Sequence, residues 1–273
     1  TPALSSAASD VYKRQEKGFI NGVYIPHSNK LMSAMRTEYS KKFGKRLRTS
    51  NHHRLLEEPF SKTEGEVLKY WVYYIDECSM LTDADKDYIL ENVKGKVIFM
   101  GDTKCQCKPI KGKPMTHENI DNVAPVSKKN YRFKDTEQLD ACNYVRRVIT
   151  QNERFSSSKL PYKKIKRKEI DYNKEDIILV TQHKFNDEWT EKYKDIEKYR
   201  VTNNTRDYFN GDIIYKKIPK VDALLRHGYT IHSVQGETFK QNIFIDMRKM
   251  SDMRMFYTAI SRAEYASQIF LVV

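Results

Sequence analysis

The sequence predicts an α/β fold with mainly parallel sheets. Two runs carry the prediction: "YWVYYID" (70–76) and "GKVIFMGD" (95–102) are continuously apolar and end in acid, the pattern of parallel strands buried on both faces. From Gly18 onward, short β-rich runs alternate with amphipathic helical stretches, as a mainly parallel sheet with crossover helices requires. The 273 residues suffice for two compact domains, each with its own core. Ligands of such sheets bind beyond the carboxyl ends of the strands. The two acid-ending strands therefore point at one shared edge.

In chain order, "TPALSSAASDVYKRQ" (1–15) is small, Ser/Ala-rich and without helix or strand periodicity. It reads as a foreign or disordered segment and is set aside from fold reasoning. "GVYIPHSN" (22–29) reads as a strand that breaks at Pro26. "KLMSAMRTEYSKKFG" (30–44) reads as a helix with Leu31, Met35 and Tyr39 on one face and Gly44 as its stop. Later strands are expected at "DIILVTQ" (176–182), "YTIHSVQG" (229–236), "NIFIDM" (242–247) and "QIFLVV" (268–273).

The chain carries 49 Lys+Arg against 36 Asp+Glu, a net charge of +13, which favours a polyanionic partner. A lysine-rich proteome is the plainer explanation, and charge alone does not exclude it. Four cysteines, Cys78, Cys105, Cys107 and Cys142, form no regular framework, so a reducing, intracellular compartment is expected, a nucleus or a viral replication site among them. No uninterrupted apolar run reaches the roughly 18 residues of a membrane span, and no membrane partner is expected.

At the shared edge, Asp76 is placed to hold Mg²⁺ and Glu77 to orient or deprotonate the water that attacks a γ-phosphate, the usual arrangement of a Walker B acid pair. Acids at a helix N-terminus are the plainer reading, since "DECSMLTDADKDYIL" also satisfies the macrodipole. The second strand shifts the balance. In "MGDTKCQCKPI" (100–110), Asp102 emerges beside the first pair and Gln106 is a polar group able to sense the γ-phosphate.

The ordered motifs resemble those of superfamily 1 helicases of the RecD/Pif-like branch, with a UvrD-like C-terminal helicase domain. "YYIDECSM" (73–80) resembles motif II, "GDTKCQCKPI" (101–110) motif III and "KKNYRFKD" (128–135) motif IV. "NGDI" (210–213) resembles a turn of the second domain, "YTIHSVQGETF" (229–239) motif V and "FYTAISRA" (256–263) motif VI. The resemblance implies two RecA-like domains with mainly parallel sheets, a P-loop NTPase helicase core, divided here as 16–127, N-terminally truncated, and 128–273. It implies ATP and Mg²⁺ as cofactors. The implied partner is single-stranded or forked nucleic acid, DNA rather than RNA, traversed 5′ to 3′.

It also implies residue roles. Arg132 and Arg262 would reach the γ-phosphate across the interdomain cleft, where a permanently charged, forked guanidinium stabilises growing charge. Gln235, Gly236 and Glu237 would lie on the same cleft as nucleotide contacts, with Asp102. Thr230, His232 and Ser233 would contact nucleic-acid phosphates. "PHSNK" (26–30) resembles motif Ia and "TSNHHRLL" (49–56) the segment that places a His before Leu-Leu, so Ser28, Asn29 and His53 would bind the strand backbone without reading bases. The basic run "KLPYKKIKRK" (159–168) either extends this path or is a solvated loop.

Some features depart from the family pattern. Motif III carries one residue more than usual between Asp102 and Gln106. Cys105 and Cys107 lack the two further nearby ligands of a metal site and read as packing residues. About sixteen residues separate "NGDI" from "YTIH", too few for an inserted subdomain, which predicts a minimal two-domain core. Above all, no G-x-x-x-x-G-K-[ST] loop occurs: the three Gly-Lys pairs, at 44–45, 95–96 and 112–113, continue into Arg46, Val97 and Pro114. The favoured expectation is a helicase fragment whose start was lost and which binds single strands without hydrolysing ATP. The alternative is a nucleotide-incompetent, helicase-like nucleic-acid-binding or scaffolding module.

Overall fold

The computed structural model describes residues 22–50, 52–57, 72–123, 130, 132–203, 205 and 212–273. The segment 1–15, several positions of the motif IV run and Asn210 and Gly211 of "NGDI" lie outside the described residues. The chain divides into two units, residues up to 103 with 108–131, and 104–107 with 132–273.

The first unit is built on a parallel sheet in the order β1 (Gly22–Ile25), β2 (Val72–Ile75), β3 (Lys96–Phe99). Its first helix, α1 (Asn29–Phe43), begins where the Ser28 hydroxyl accepts the Leu31 N–H at 3.2 Å and ends at Gly44 in the left-handed region, φ 62°. Met35 and Tyr39 bury one face of α1 against Tyr24, Leu47, Val72 and Tyr74, with Leu31 and Phe43 at its rim. A short helix α2 (His52–Glu57) follows. Helix α3 (Asp83–Asn92) starts with a capping box between Thr82 and Asp85. Its buried Lys86 donates to the Glu118 carbonyl at 2.8 Å and to Asp83 at 3.3 Å. Asp83 in turn accepts from the Thr116 N–H and hydroxyl, so one carboxylate ties the loop after β3 to the start of α3.

Burial corrects one expectation. Strands β1 and β2 are buried throughout, but Lys96 of β3 is exposed and Val97, Ile98 and Phe99 are half-buried. Both β1 and β3 end the sheet, but the outer side of β1 is covered by residues 48–50, which bond the Tyr24 N–H and carbonyl at 3.0 and 3.1 Å, whereas among the described residues β3 pairs with β2 alone.

The second unit carries a five-stranded parallel sheet in the order β4 (Lys163–Ile165), β11 (Ile269–Val272), β10 (Ile243–Asp246), β5 (Ile177–Val180), β9 (Gly228–Thr230). Helix α5 (His183–Lys192) packs Phe185 and Trp189 on Ile178, Val180 and Phe244. Helices α4 (Thr136–Gln151) and α6 (Met253–Ile260) pair, with the buried Gln138 amide donating to the Ile260 carbonyl at 2.7 Å.

Three expectations change here. The run 229–236 is a strand only to Thr230. Ile231–Val234 then tightens into a 3₁₀ turn, closed by the Ser233 hydroxyl donating to the Thr230 carbonyl at 2.8 Å. The run 159–168 is not all loop, because Lys163–Ile165 pairs with β11. The expected minimal core instead holds a small antiparallel sheet, in the order β7 (Ile213–Ile214), β6 (Tyr199–Val201), β8 (Ala223–Leu225). Its first strand lies before "NGDI", so counting residues after that turn missed it.

Gln268 locks the end of this unit. Its Oε1 accepts the Glu264 and Tyr265 N–H groups at 2.9 and 2.8 Å, while its Nε2 donates to the Phe239 and Gln241 carbonyls at 3.3 and 3.1 Å. Gln268→Leu keeps the volume and strands four backbone groups, which predicts a loss of roughly 3 kcal/mol or more. Urea unfolding followed by circular dichroism checks this; a midpoint equal to wild type would remove Gln268 from that role.

Candidate nucleotide and nucleic-acid sites

In the first unit, parallel pairing sets Ile25, Ile75 and Phe99 at one level, so the residues that follow them emerge at one end of the sheet. Asp76 and Glu77 are both buried there. The Tyr24 hydroxyl donates to Asp76 Oδ2, and the Glu77 N–H donates to Asp76 Oδ1 at 2.9 Å. Glu77 itself sits in the left-handed region at φ 54°, a conformation uncommon for a side chain of its size and concentrated at functional sites. The Cys78 N–H then donates to the Met100 carbonyl at 2.9 Å. This leaves no room beside Gly101, whose φ is +148° and where an added Cβ would lie 2.9 Å from the Cys78 nitrogen. Asp102 follows, half-buried.

The three carboxylates act on one spot. The Cys78 thiol between them is pushed up to about 12, by burial first and then by the negative fields of Glu77, Asp76 and Asp102. Among the described residues no group of three or more His, Cys, Asp or Glu side chains could hold a metal ion, so the residues present do not by themselves make a Mg²⁺ site around Asp76. They do not include a glycine-rich phosphate cradle.

The strand contacts expected in this unit are partly placed. Ser28 is the N-cap of α1; its oxygen accepts a backbone N–H while its own proton remains for donation. Asn29 opens α1 and His53 lies in α2, with their side chains outside the described residues. His52, the neighbour passed over in the sequence, is buried and packed edge-on to His27 with ring centroids 5.4 Å apart. The pair "HH" was visible, but a six-residue helix carries too little periodicity to show that His52 turns inward.

In the second unit, the 104–107 segment docks on α6. The Cys107 N–H donates to the Thr258 hydroxyl at 3.0 Å, and Arg254 Nε donates to the Lys104 carbonyl at 3.0 Å. Cys105 and Cys107 are buried. Gln106 meets Gln235, whose Nε2 donates to Gln106 Oε1 at 3.4 Å. Gly236 has φ +85°, which lets the chain turn back so that the Phe239 N–H reaches the Arg262 carbonyl at 2.8 Å. Arg262 is fully buried. Its Nε donates to the Thr258 carbonyl, Nη1 to the Glu237 carbonyl and Nη2 to the Ser261 hydroxyl, at 2.9, 3.1 and 2.8 Å. Arg132 Nη1 donates to the Ser261 carbonyl at 3.0 Å. A third arginine, Arg146, joins Arg132 and Arg262 in lowering the proton affinity of buried Cys142, against a larger upward push from burial. Gln106, Arg132, Gln235, Glu237 and Arg262 thus share one neighbourhood.

Thr230, His232 and Ser233 are half-buried at the far edge of this unit's sheet. Thr230 lines a cleft of about 260 Å³ with His183, Arg200, Thr202 and Arg226. Arg226 is paired with Asp187, and Arg200 lies over the Tyr229 ring at 5.6 Å. The two arginines come from strands β6 and the turn after β8, too far apart in sequence to be read as one site.

No protein-family model matches the chain, and no curated protein matches it in sequence. Solved structures do. The Pif1 helicase from Candida albicans aligns with a TM-score of 0.63 at 12% identity, over 98% of this chain and 94% of that one. A Bacteroides Pif1 helicase in complex with ADP-AlF3 and ssDNA aligns at 0.60 and 15%, over 99% and 92%. A structure of DNA unwinding at forked dsDNA by two coordinating Pif1 helicases aligns at 0.62 and 16%, over 99% and 92%. At these identities the likeness establishes the fold: α/β, with mainly parallel sheets matching the RecA-like domains of Pif1 helicases.

Burial and the neighbouring His27 hold the His52 imidazole down at about 3, outweighing the Asp76 and Ile25 carbonyls that favour its proton. The unfolded chain binds that proton near pH 6.5. The contribution to stability is therefore full above pH 6.5 and is lost as pH falls toward 3, at up to about 1.4 kcal/mol per unit. His52→Gln should flatten the acid limb of a stability-against-pH curve relative to wild type. Parallel limbs would show that His52 does not titrate on unfolding.

Proposed function

We propose that this chain, which has the fold of the Pif1 helicases, is a fragment of an ATP- and Mg²⁺-dependent helicase that moves 5′ to 3′ on single-stranded or forked DNA, with 16–127 as a partial first RecA-like domain and 128–273 as the second. The observation that carries the reading is the convergence of Asp76, Glu77 and Asp102 at the carboxyl ends of registered parallel strands, around a thiol their fields help hold protonated. The complexes of the similar Pif1 proteins with ADP-AlF3, ssDNA and forked dsDNA support the same ligand classes.

In this reading Asp76 holds Mg²⁺, which when bound screens the phosphate oxygens. Glu77 orients and deprotonates the attacking water. Asp102 and Gln106 report the state of that site along the motif III segment. Gln106 passes it to Gln235, its hydrogen-bonded neighbour, and through Gly236 and Glu237 to the backbone that Arg262 grips. Arg132 and Arg262 supply cations to the γ-phosphate. Thr230, His232 and Ser233, beside the arginine-lined cleft, hold the strand backbone in the second unit. Ser28, Asn29 and His53 do so in the first.

One observation favours the second reading, a nucleic-acid-binding module that does not turn over nucleotide: the 273 residues contain no P-loop motif. The two readings share strand binding and differ in hydrolysis by the complete motor. For the chain itself both predict binding of a single-stranded oligonucleotide with affinity that falls steeply with salt, and no ATP turnover. Fluorescence anisotropy across a salt series and a phosphate-release assay test this. Absence of strand binding would defeat both. Robust turnover would show that phosphates are cradled without a P-loop, and Glu77→Gln should then abolish it.

A further inference from the structure

The second unit's sheet has two edges of different chemistry. Thr230 and the arginine-lined cleft lie at the β9 edge, and β4 is the opposite edge, with four strand spacings between them, about 19 Å. The basic run 159–168 therefore does not simply prolong the contacts that start at Thr230.

That run is anchored rather than loose. Leu160, Tyr162 and Ile170 are buried, the Tyr162 hydroxyl donates to Gln138 Oε1 at 3.0 Å, and Lys163, Lys164 and Ile165 pair with Phe270, Leu271 and Val272. Among the described residues β4 pairs on that side alone. The inward apolar anchors leave Lys163, Lys164, Lys166 and Lys168 exposed. Arg167 is already engaged by Glu188 at 3.1 Å and lies over the Trp189 ring. Lys164 reaches only a hydroxyl, Ser157 Oγ at 3.0 Å, and Lys166 stands 4.0 Å from an exposed Glu169. Lys159 borders a groove that also holds Glu137 and Asp140, so the uncompensated charge begins at Lys163.

We propose that the β4 edge, through Lys163, Lys164, Lys166 and Lys168, binds the phosphate backbone of duplex nucleic acid, separately from the single-strand contacts. Edge lysines commonly serve to block strand-to-strand aggregation, but that role needs one or two charges on the strand itself and not a continuation through Lys166 and Lys168. The duplex is favoured over a single strand by what the surface lacks. Within 159–168 the one aromatic ring, Tyr162, is buried, and half-buried Phe270, opposite Lys163 on β11, is stacked on Phe244 with centroids 5.0 Å apart, so neither presents a free ring for unpaired bases to stack on. A duplex hides its bases and presents one charge per roughly 1.7 Å of axis, which a row of fixed ammonium groups can meet.

The proposal rests on the helicase reading only in expecting both strand states near the protein, and the test separates the two. The variant K163Q/K164Q/K166Q/K168Q and its Lys→Arg counterpart are compared with wild type by anisotropy, using a blunt 20-base-pair duplex and a 20-nucleotide single strand. The Gln variant should lose about tenfold or more in duplex affinity at low salt, with a slope of log K on log salt shallower by about 0.9 per contact removed. The Arg variant should keep both, and single-strand affinity should be unchanged in each. Unchanged duplex affinity in the Gln variant would overturn the proposal and leave the edge to a protein or membrane partner or to solubility. Equal losses on both probes would overturn it as well, by making the edge part of a common path. Failure of wild type to bind the single strand would instead count against the helicase reading.

Discussion

Registered parallel pairing is the constraint on which the rest depends. Because Ile25, Ile75 and Phe99 share one level, residues separated by some fifty positions in sequence leave the sheet together. Backbone bonds continue the register past the strands: the Asp76 N–H reaches the Ile25 carbonyl at 2.9 Å, and the Met100 N–H reaches the Ile75 carbonyl at 2.8 Å. The acids cannot drift apart without breaking these bonds. The Tyr24 hydroxyl and the Glu77 N–H, both donating to Asp76, add side-chain and backbone bonds to the same hold. A one-residue slip of β3 would exchange Gly101 for Met100 or Asp102 opposite the Cys78 nitrogen, where no Cβ fits. Glycine at that position fixes the register as firmly as the apolar pattern does.

The second unit achieves the same end by side chains that act as backbone clamps. Asp135 Oδ1 caps α4 at the Gln138 N–H while its Oδ2 accepts the Ala266 N–H. Gln138 joins α4 to the end of α6 and to Tyr162. Gln268 closes the turn after α6 onto the 239–241 turn. Each clamp satisfies backbone groups that a loop would otherwise bury unpaired.

Strand existence and helix limits were legible in the sequence because their signals are local. Pro26 and Gly44 bound the elements on either side of them, and the acid-ended apolar runs are strands of a parallel sheet. What escaped was whatever depends on neighbours distant in the chain. Burial of β3 is a property of its place in the sheet, and its sequence reads like a central strand. The antiparallel sheet is made of strands two and three residues long, below the length at which alternation can be counted. Among site residues, carboxylates at strand ends could be named from sequence. The inward turn of His52, the Gln106–Gln235 contact and the pairing of Arg200 with Arg226 around one cleft could not, because no single stretch contains both members.

Arg262 shows why naming a residue falls short of describing it. As a motif residue it reads as a cation aimed at a phosphate, yet here all three of its nitrogens donate to Thr258, Glu237 and Ser261 and the side chain is fully buried. Holding a guanidinium in that state is costly unless its donors are satisfied. The Thr258 and Glu237 carbonyls and the Ser261 hydroxyl supply three of the acceptors this requires. Bonds from a guanidinium to an anionic oxygen are shorter and roughly twice as strong as those between neutral groups. On the proposed function, a phosphate reaching Arg262 would compete for some of the five donors while the remaining bonds keep the fork oriented. The same bonds serve a buried structural pin or, on the proposed function, a cation held ready, and because the Glu237 carbonyl is one of its acceptors, any release is felt directly in the backbone at Glu237.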